Sequence, residues 1–183
     1  MIFKHLSKEK PAACCFTGHR PQSLPFGFDE QNPSCIKLRA ILRSEIERQI
    51  TENKVTHFIS GMALGIDLIA AELVLELKEQ YPEITLESAI PCEAQAERWS
   101  VTQQERYYTI AAQCDKETLI QRPYTKDCFQ KRNQYMVDSS SVVIAVWNGH
   151  PSGTGQTIMY ARSKEKPIVI IHPNTLEITN ERN

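Results

Sequence analysis

Two short apolar runs constrain the fold of this chain more than any other feature. They are VVIAVW at residues 142–147 and IVII at residues 168–171. Neither run alternates apolar with polar residues, which indicates strands that are buried on both faces. Strands of this kind occur almost only in parallel sheets that carry helices on both sides. The chain is therefore expected to be an α/β protein.

Other β-leaning runs alternate with helical patterns along the whole chain. The expected strands are residues 12–17, 56–60, 84–90, 117–121, 141–147 and 167–172. The expected helices cover residues 38–50, 64–80, 99–113, 126–138 and 155–164, and Asn32-Pro33-Ser34 supplies a cap for the first. This alternation predicts right-handed crossovers and a mainly parallel sheet with helices on both faces.

The length fits one domain over residues 1–183, of which 41% are hydrophobic. We expect a core at about residues 12–172 and a polar C-terminal tail at residues 174–183. Residues 21–32 and the tail are expected to be flexible. A chain of this size buries enough surface to support a rigid pocket.

Charge, hydropathy and cysteine content count against several classes of protein. The 21 Lys and Arg against 22 Asp and Glu leave a net charge of -1, which argues against nucleic acid as a partner. No run is long enough for a membrane helix, and the first ten residues are too polar for a signal peptide. The six cysteines lack C-x-x-C or zinc spacing. We therefore expect a cytoplasmic protein with free thiols and no metal site.

Ligands of such sheets bind where strands end and helices begin, so the segments after the strands are the candidates. The first is TGHRP at residues 17–21. Gly18 permits a tight exit from the strand, and Arg20 offers a forked donor to phosphate or carboxylate. Taken alone, this segment fits a surface turn better than a ligand site.

The second segment is SGMALGID at residues 60–67. Its two glycines leave backbone N–H groups free to cradle an anion at a helix N-terminus. It is neither the phosphate loop with a following Lys nor the dinucleotide fingerprint. Asp67 has two interpretations of equal weight: it complements the helix dipole, or it accepts a hydrogen bond from a ribose hydroxyl.

The third segment, WNGHPSGTGQT at residues 147–157, is the richest phosphate-cradle candidate. Three glycines and three hydroxyl side chains precede a helix there. Arg132, in the preceding helix, either reaches the same anion or is a solvated charge. Two further carboxylates, Glu93 after the third strand and Asp138 at a helix end, are candidates for a specific role.

Taken together, these motifs resemble a known family. GHRP, SGMALGID, PCEAQAERW, RNQYMVD and PSGTGQT, from about residue 15 to 171, are similar to the YpsA-like branch of the SLOG superfamily. That superfamily also holds the DNA-processing protein DprA and the Lonely Guy phosphoribohydrolases. The resemblance implies a single Rossmann-like domain and a pocket for a nucleotide or nucleotide-derived ligand, with no required cofactor.

The resemblance also implies ligand-binding residues by position. They are Gly18, His19 and Arg20 at the first-strand exit, Ser60, Gly61, Gly65 and Asp67 in the first glycine loop, Arg132 and Asn133 in the helix, and Gly153, Thr154 and Gly155 in the second glycine loop. One departure bears on catalysis. The Lonely Guy pattern P-G-G-x-G-T-x-x-E ends in a Glu that assists cleavage, and Met159 stands at that position here.

The favoured hypothesis is thus a ligand-sensing module for a small phosphorylated ligand, with homo-oligomer formation left open. Two alternatives remain. An N-glycoside hydrolase acting on a nucleoside phosphate or NAD-like substrate would need a carboxylate near the ribose, for which Asp67, Asp138 and Glu93 are the candidates. A single-stranded DNA binder of the DprA type would need a basic face, for which Lys126, Lys131 and Arg132 are the candidates.

Overall fold

The computed structural model describes residues 12–182. The strands are β1 (Ala12–Gly18), β2 (Val55–Ser60), β3 (Thr85–Ile90), β4 (Lys116–Leu119), β5 (Val142–Val146), β6 (Ile168–Ile171) and β7 (Ile178–Glu181). The helices are α1 (Pro33–Thr51), α2 (Ile66–Lys78), α3 (Val101–Ala111), α4 (Cys128–Asp138) and α5 (Gly153–Ser163), and a short 3-10 helix spans Pro21–Ser23. The polar first ten residues, for which the sequence predicts no signal peptide, lie outside the described range.

The strands form one sheet in the order β4-β3-β2-β1-β5-β6-β7. The first six in chain order pair in parallel, and β7 runs antiparallel to β6. The chain builds outward from β1 to β4 and then crosses to β5 on the other side of β1. This reversal opens a crevice at the carboxyl ends of β1 and β5. The expected Rossmann-like α/β fold is confirmed.

Helices on both faces explain why the two apolar runs do not alternate. Every residue of β5 and β6 is buried. Helices α1, α2 and α3 contribute to a large core on one face, where the rings of Phe16 and Phe58 stack with centroids 5.9 Å apart. Helices α4 and α5 pack on the other face through Met136 and Ile158.

The predicted start of α1 is confirmed in atomic detail. The side-chain oxygen of Asn32 accepts a hydrogen bond from the backbone N–H of Ser34 at 2.9 Å, and Pro33 occupies the first turn. This cap satisfies one of the N–H groups that a helix start leaves free. The other predicted helices also begin and end within a few residues of the observed bounds.

The segment at residues 21–32 is anchored, although its sequence predicts a flexible segment. The carboxylate of Glu30 accepts two hydrogen bonds from the Arg106 guanidinium of α3, at 2.5 and 3.2 Å. Leu24 and Phe26 are buried in the core. The anchor comes from an arginine that is distant in sequence, and no local pattern in the segment indicates it.

The C-terminal segment also differs from the expected polar tail. Its residues Ile178–Glu181 form β7 at the edge of the sheet. The connecting turn is closed by His172, whose Nδ1 accepts the N–H groups of Asn174 and Thr175, both at 3.2 Å. A short polar edge strand carries no apolar periodicity, which explains why the sequence analysis missed it.

Within residues 12–182, no helix combines the length and apolar character needed to cross a membrane. In the same range, no three His, Cys, Asp or Glu side chains come together in a group that could hold a metal ion. All six cysteines are free thiols, and five of them are buried. Burial raises the pKa of the Cys15 thiol to about 12.

Candidate functional site

Four segments meet at the carboxyl ends of β1 and β5: the turn after β1, the loop before α2, the side of α4 and the N-terminus of α5. They enclose a cavity of about 300 Å³, at the small end of the range for ligand sites. Its lining comprises Thr17, Gly18, His19, Arg20, Ser23, Ala63, Asp67, Phe129, Arg132, Asn133, Ser152, Gly153 and Thr154. The lining holds two guanidinium groups and one carboxylate, which favours an anionic ligand.

The N-terminus of α5 presents backbone donors to this cavity. The Ser152 hydroxyl caps the helix by accepting the N–H of Gly155 at 3.1 Å. Within the described part of the chain, the N–H groups of Gly153 and Thr154 have no hydrogen-bond partner. These two donors and the positive end of the helix dipole point to an anion at this position.

The side chain of Arg132 is the central cation of the site. It is only 3% exposed. Its Nη1 donates to the carbonyl oxygen of Gly61, and its Nε donates to Oδ1 of Asn133 at 2.7 Å. Its Nη2 has no hydrogen-bond partner among residues 12–182. Because Arg132 lines the cavity, this nitrogen is the one left for a ligand.

Asn133 extends this contact to α5. Its Nδ2 donates to the Thr157 hydroxyl at 2.9 Å, and that hydroxyl donates to the carbonyl oxygen of Gly153 at 2.9 Å. A chain of hydrogen bonds therefore links the Arg132 guanidinium to the first residue of α5. This arrangement fixes the buried cation relative to the free N–H groups of the helix.

Phe129 lies close to two cations. Its ring centroid is 5.6 Å from Cζ of Arg20 and 5.9 Å from Cζ of Arg132, distances at which cations attract an aromatic face. Arg20 is exposed, and no carboxylate among the described residues lies within 4 Å of it. Arg20 is thus a cation at the mouth of the cavity that is free to meet a ligand.

Asp67 is a buried carboxylate beside Arg132. Its Oδ2 lies 3.9 Å from Nη1 of Arg132 and accepts the N–H of Ala63 at 3.4 Å. Burial raises the pKa of this carboxyl, and the Arg132 guanidinium opposes that shift. The same burial lowers the pKa of the Arg132 guanidinium, an effect that Asp67 opposes. Asp67 acts here as the counterion of Arg132 and as a cap of the loop before α2.

Hydrogen bonds to neighbouring side chains hold the backbone of the loop at residues 60–65. The hydroxyl of Ser60 accepts the N–H of Met62 at 3.1 Å and donates to the carbonyl oxygen of Asp67 at 2.8 Å. Gln95 donates to the carbonyl oxygens of Gly61 and Met62 at 3.1 and 2.8 Å. The loop therefore presents carbonyl oxygens to Arg132 and Gln95, and these contacts position the cation.

Two glycines of this loop permit close backbone approach. A Cβ at Gly61 would overlap the Arg132 guanidinium and lie 2.6 Å from Oδ2 of Asp67. Gly65 has a φ of +94°, and a Cβ there would lie 2.6 Å from the carbonyl oxygen of His19. The loop thus requires glycine at both positions for packing around the site.

His19 has a defined tautomer. Its Nε2 accepts the backbone N–H of Asn148 at 3.1 Å, so the ring proton resides on Nδ1. Burial lowers the pKa of this imidazole, which favours its neutral form. His19 links the turn after β1 to the loop after β5 and so holds two sides of the cavity together.

Comparison with known proteins establishes the family. The sequence profile of YpsA, described as the YspA SLOG family, matches residues 14–176. The chain belongs to this family. It is 32% identical over 144 residues to the SPbeta prophage-derived protein YoqJ of Bacillus subtilis strain 168, covering 72% of this chain and 84% of YoqJ. It is 26% identical over 172 residues to the UPF0398 protein YpsA of that strain, covering 90% of this chain and 94% of YpsA.

Solved structures of DprA share the fold of this SLOG protein. DprA of Helicobacter pylori, described for its single-stranded DNA binding mode, aligns with a TM-score of 0.59 at 22% identity over 87% of this chain. DprA of Streptococcus pneumoniae aligns with a TM-score of 0.58 at 15% identity over 87% of this chain. The chain spans 65% and 50% of these two DprA chains. At such identities the likeness concerns the fold alone.

The structure brings most of the residues that the resemblance to the SLOG superfamily implies together around the cavity. Those that line the cavity are Gly18, His19, Arg20, Asp67, Arg132, Asn133, Gly153 and Thr154. Four others are not part of the lining: Ser60, Gly61, Gly65 and Gly155. Ligand contact by any of them stays a prediction.

Two of the three candidate carboxylates lie elsewhere. Glu93 is exposed and pairs with Arg122 at 4.0 Å. Asp138 ends α4 at the amino ends of the strands. Its carboxylate accepts a hydrogen bond from the Tyr160 hydroxyl at 3.0 Å and lies 3.6 Å from Nζ of Lys164. Because α4 leads into β5, its C-terminus must lie at the amino end of that strand. Among the described residues that line the cavity, Asp67 is the only carboxylate.

The ligand-binding residues expected from the family resemblance omit five members of the lining: Thr17, Ser23, Ala63, Phe129 and Ser152. Ser152 is expected only as one of the hydroxyls of the second glycine loop. Phe129 precedes Arg132 by three residues, so both side chains lie on one side of α4. Ser152 comes directly before the second glycine of its loop and is a preferred N-cap residue. Both signals were present in the sequence, and the second would have marked Gly153 as the start of α5.

Proposed function

We propose that this protein binds a small phosphorylated ligand of the nucleotide type and acts as a ligand-sensing module. The observation that carries the proposal is the buried guanidinium of Arg132. It is 3% exposed, it lines the cavity, and its Nη2 lacks a partner among the described residues. The guanidinium is held by Gly61 and Asn133 with one donor left open to the cavity, and an anionic ligand that accepts from this donor explains a site of this kind.

The phosphate would lie at the N-terminus of α5. The free N–H groups of Gly153 and Thr154 would donate to its oxygens, and Arg132 Nη2 would donate from the side of α4. Arg20 at the cavity mouth would supply a second cation. Phosphate at a helix N-terminus with an arginine beside it is a recurring arrangement in proteins.

The arrangement supports binding better than hydrolysis of a glycosidic bond. Such hydrolysis requires a carboxylate that is free to act near the ribose. Asp67 is engaged with Ala63 and Arg132, and Glu93 and Asp138 lie away from the cavity. Met159, at the position of the Lonely Guy glutamate, is an exposed apolar side chain.

Single-stranded DNA binding is supported less well. The H. pylori DprA structure is described for that activity, but the basic face that it would need is not continuous here. Arg132 is buried, and Lys131 pairs with Asp127 at 2.9 Å. Of that group, Lys126 is exposed and without an ion pair among the described residues.

Titration calorimetry with AMP and adenosine tests the proposal. AMP is expected to bind, and adenosine to bind much more weakly, because the site recognises phosphate. Arg20→Gln and Arg132→Gln should each weaken AMP binding by about tenfold or more, the value of a charge-assisted hydrogen bond. Arg20 is exposed, so its variant tests the site without disturbing the core. Arg43→Gln, which removes a surface arginine paired with Glu47, is the matched control.

A thermal-unfolding screen extends the test to other phosphorylated ligands. Ligand at 100 times its Kd should stabilise the protein by about 2.7 kcal/mol. If no nucleotide, nucleotide sugar or inorganic phosphate shifts the transition, the proposed function is wrong. Equal loss of AMP and adenosine affinity in the arginine variants would show that neither residue contacts phosphate.

A further inference from the structure

A second concavity opens beside the cavity, in the groove between α4 and α5. Its volume is about 490 Å³. It shares Phe129, Asn133 and Gly153 with the cavity, so the two spaces adjoin. Gly153, at the start of α5, lines both spaces, so a ligand anchored there by its phosphate has this groove beside it.

The lining of the groove differs in chemistry from that of the cavity. Its apolar walls are the side chains of Phe129, Met159 and Tyr160. Met159 is 67% exposed, a large fraction for an apolar side chain on a helix. No carboxylate lines the described groove, and its one charged side chain is Lys126. Such a surface suits a flat, uncharged group better than a second anion.

Carboxamide groups supply the polar part of the lining. Gln130 and Gln134 project from α4, and Gln156 projects from α5. Within residues 12–182, none of these three side chains makes a hydrogen bond to another residue. A carboxamide both donates and accepts, which matches the mixed donors and acceptors on the edge of a nucleobase.

We infer that this groove is the subsite for the base of the nucleotide, a step that rests on the proposed function. The phosphate lies at Gly153, and Met159 lies six residues further along α5, which is about 9 Å along the helix axis. A ribose and a base attached to the phosphate cover this distance. The base packs between Phe129 and Met159, and the carboxamides bind its edge.

The test compares AMP with ribose 5-phosphate, which carries the same phosphate and sugar without a base. AMP is expected to bind the wild-type protein about tenfold tighter, since stacking and edge contacts of one base are worth that much. Two variants fill the groove: Met159→Trp from α5 and Gln134→Trp from α4. In both, the advantage of AMP should fall to within about threefold, while the Kd of ribose 5-phosphate stays unchanged. Ile36→Trp, at an exposed apolar position on α1, is the control.

The outcomes separate this inference from the proposed function. Equal binding of AMP and ribose 5-phosphate by the wild-type protein overturns the base subsite and leaves the phosphate site standing. An AMP advantage that persists in both tryptophan variants overturns it as well. If neither compound binds, the proposed function fails, and the subsite fails with it. Circular dichroism of each variant shows whether the fold is retained, and Met159 is exposed enough for its variant to fold.

Discussion

Nη1 of Arg132 lies 3.9 Å from Oδ2 of Asp67, and both side chains are more than nine-tenths buried. The pair brings α4 and the start of α2 together at the wall of the cavity. Removal of one member of a buried pair leaves the other charge uncompensated, which is more costly than loss of a surface pair. The pair is thus both a structural element of the interior and a part of the lining of the candidate site.

Asp67→Asn should separate these two roles. We expect the free energy of unfolding to fall by about 3 kcal/mol, because the Arg132 charge loses its counterion. Anionic ligands should still bind, since the substitution leaves the cationic face of the site intact. Urea denaturation and AMP titration measure the two effects. Asp138→Asn, at an exposed pair with Lys164, should cost under about 1 kcal/mol. Complete loss of AMP binding by a folded Asp67→Asn protein would contradict the counterion role.

Gly61→Ala should destabilise the protein through a steric clash. The added methyl group would meet the Arg132 guanidinium and Oδ2 of Asp67, and relief of such overpacking costs about 1–3 kcal/mol. Gly153→Ala is the matched control, because nothing lies within 4 Å of a Cβ at that position. Thermal unfolding of the two variants checks the contrast. Equal stabilities would show that the loop relaxes around the methyl group at no cost.

Asn133 should act as a positioning residue between Arg132 and Thr157. Asn133→Ala removes its two side-chain hydrogen bonds and should weaken AMP binding several-fold while adenosine binding is unaffected. Thr157→Val removes the partner on α5. A double-mutant cycle on the free energy of unfolding should give a coupling of about 0.5–1.5 kcal/mol. Additive effects would mean that the two side chains do not depend on each other.

Glu87 should make stability sensitive to acid. Burial raises the pKa of its carboxyl, but hydrogen bonds from His57, Thr118, Tyr135 and Lys116 prevail and lower it to about 2. The folded state therefore binds fewer protons than the unfolded state, and stability present above pH 4.5 is lost as the pH falls toward 2. Glu87→Gln should cost about 2–4 kcal/mol near pH 7.

The pH dependence provides the check on Glu87. The difference in stability between the wild-type protein and Glu87→Gln should shrink as the pH is lowered through the range 4.5 to 2. Glu117→Gln, at an exposed position on the neighbouring strand β4, should match the wild-type curve. A constant difference between wild type and Glu87→Gln across this range would show that Glu87 does not gain its stability as a carboxylate.

The sequence predicted the sheet well because burial on both faces leaves unbroken apolar runs, as in β5 and β6. It also predicted that the segments after the strands meet in one place, since parallel strands bring their carboxyl ends to the same end of a sheet. It did not predict the orientation of the loop at residues 60–65. That orientation depends on Gln95 and Arg132, which are distant in sequence, and no local pattern encodes which way the amides point.

Other misses have different causes. The glycines of the first loop suggest an anion cradle, yet Gly61 and Gly65 serve close packing in this structure. Asp138 was a candidate for the site, yet the expected topology already placed it at the other end of the sheet. A helix that leads into a parallel strand ends at the amino end of that strand. Strand β7 could not be predicted from its four polar-leaning residues, since its pairing with β6 depends on a turn closed by His172.

The most direct measurement is a nitrogen–proton correlation NMR titration of the uniformly labelled protein with AMP. Phosphate bound at the start of α5 should shift the amide signals of Gly153 and Thr154 strongly, because both N–H groups gain an anionic acceptor. The side-chain Nε signal of Arg132 should move with them, while amides at the far edge of the sheet stay in place. Saturation by AMP without movement of the Gly153 and Thr154 signals would contradict the account.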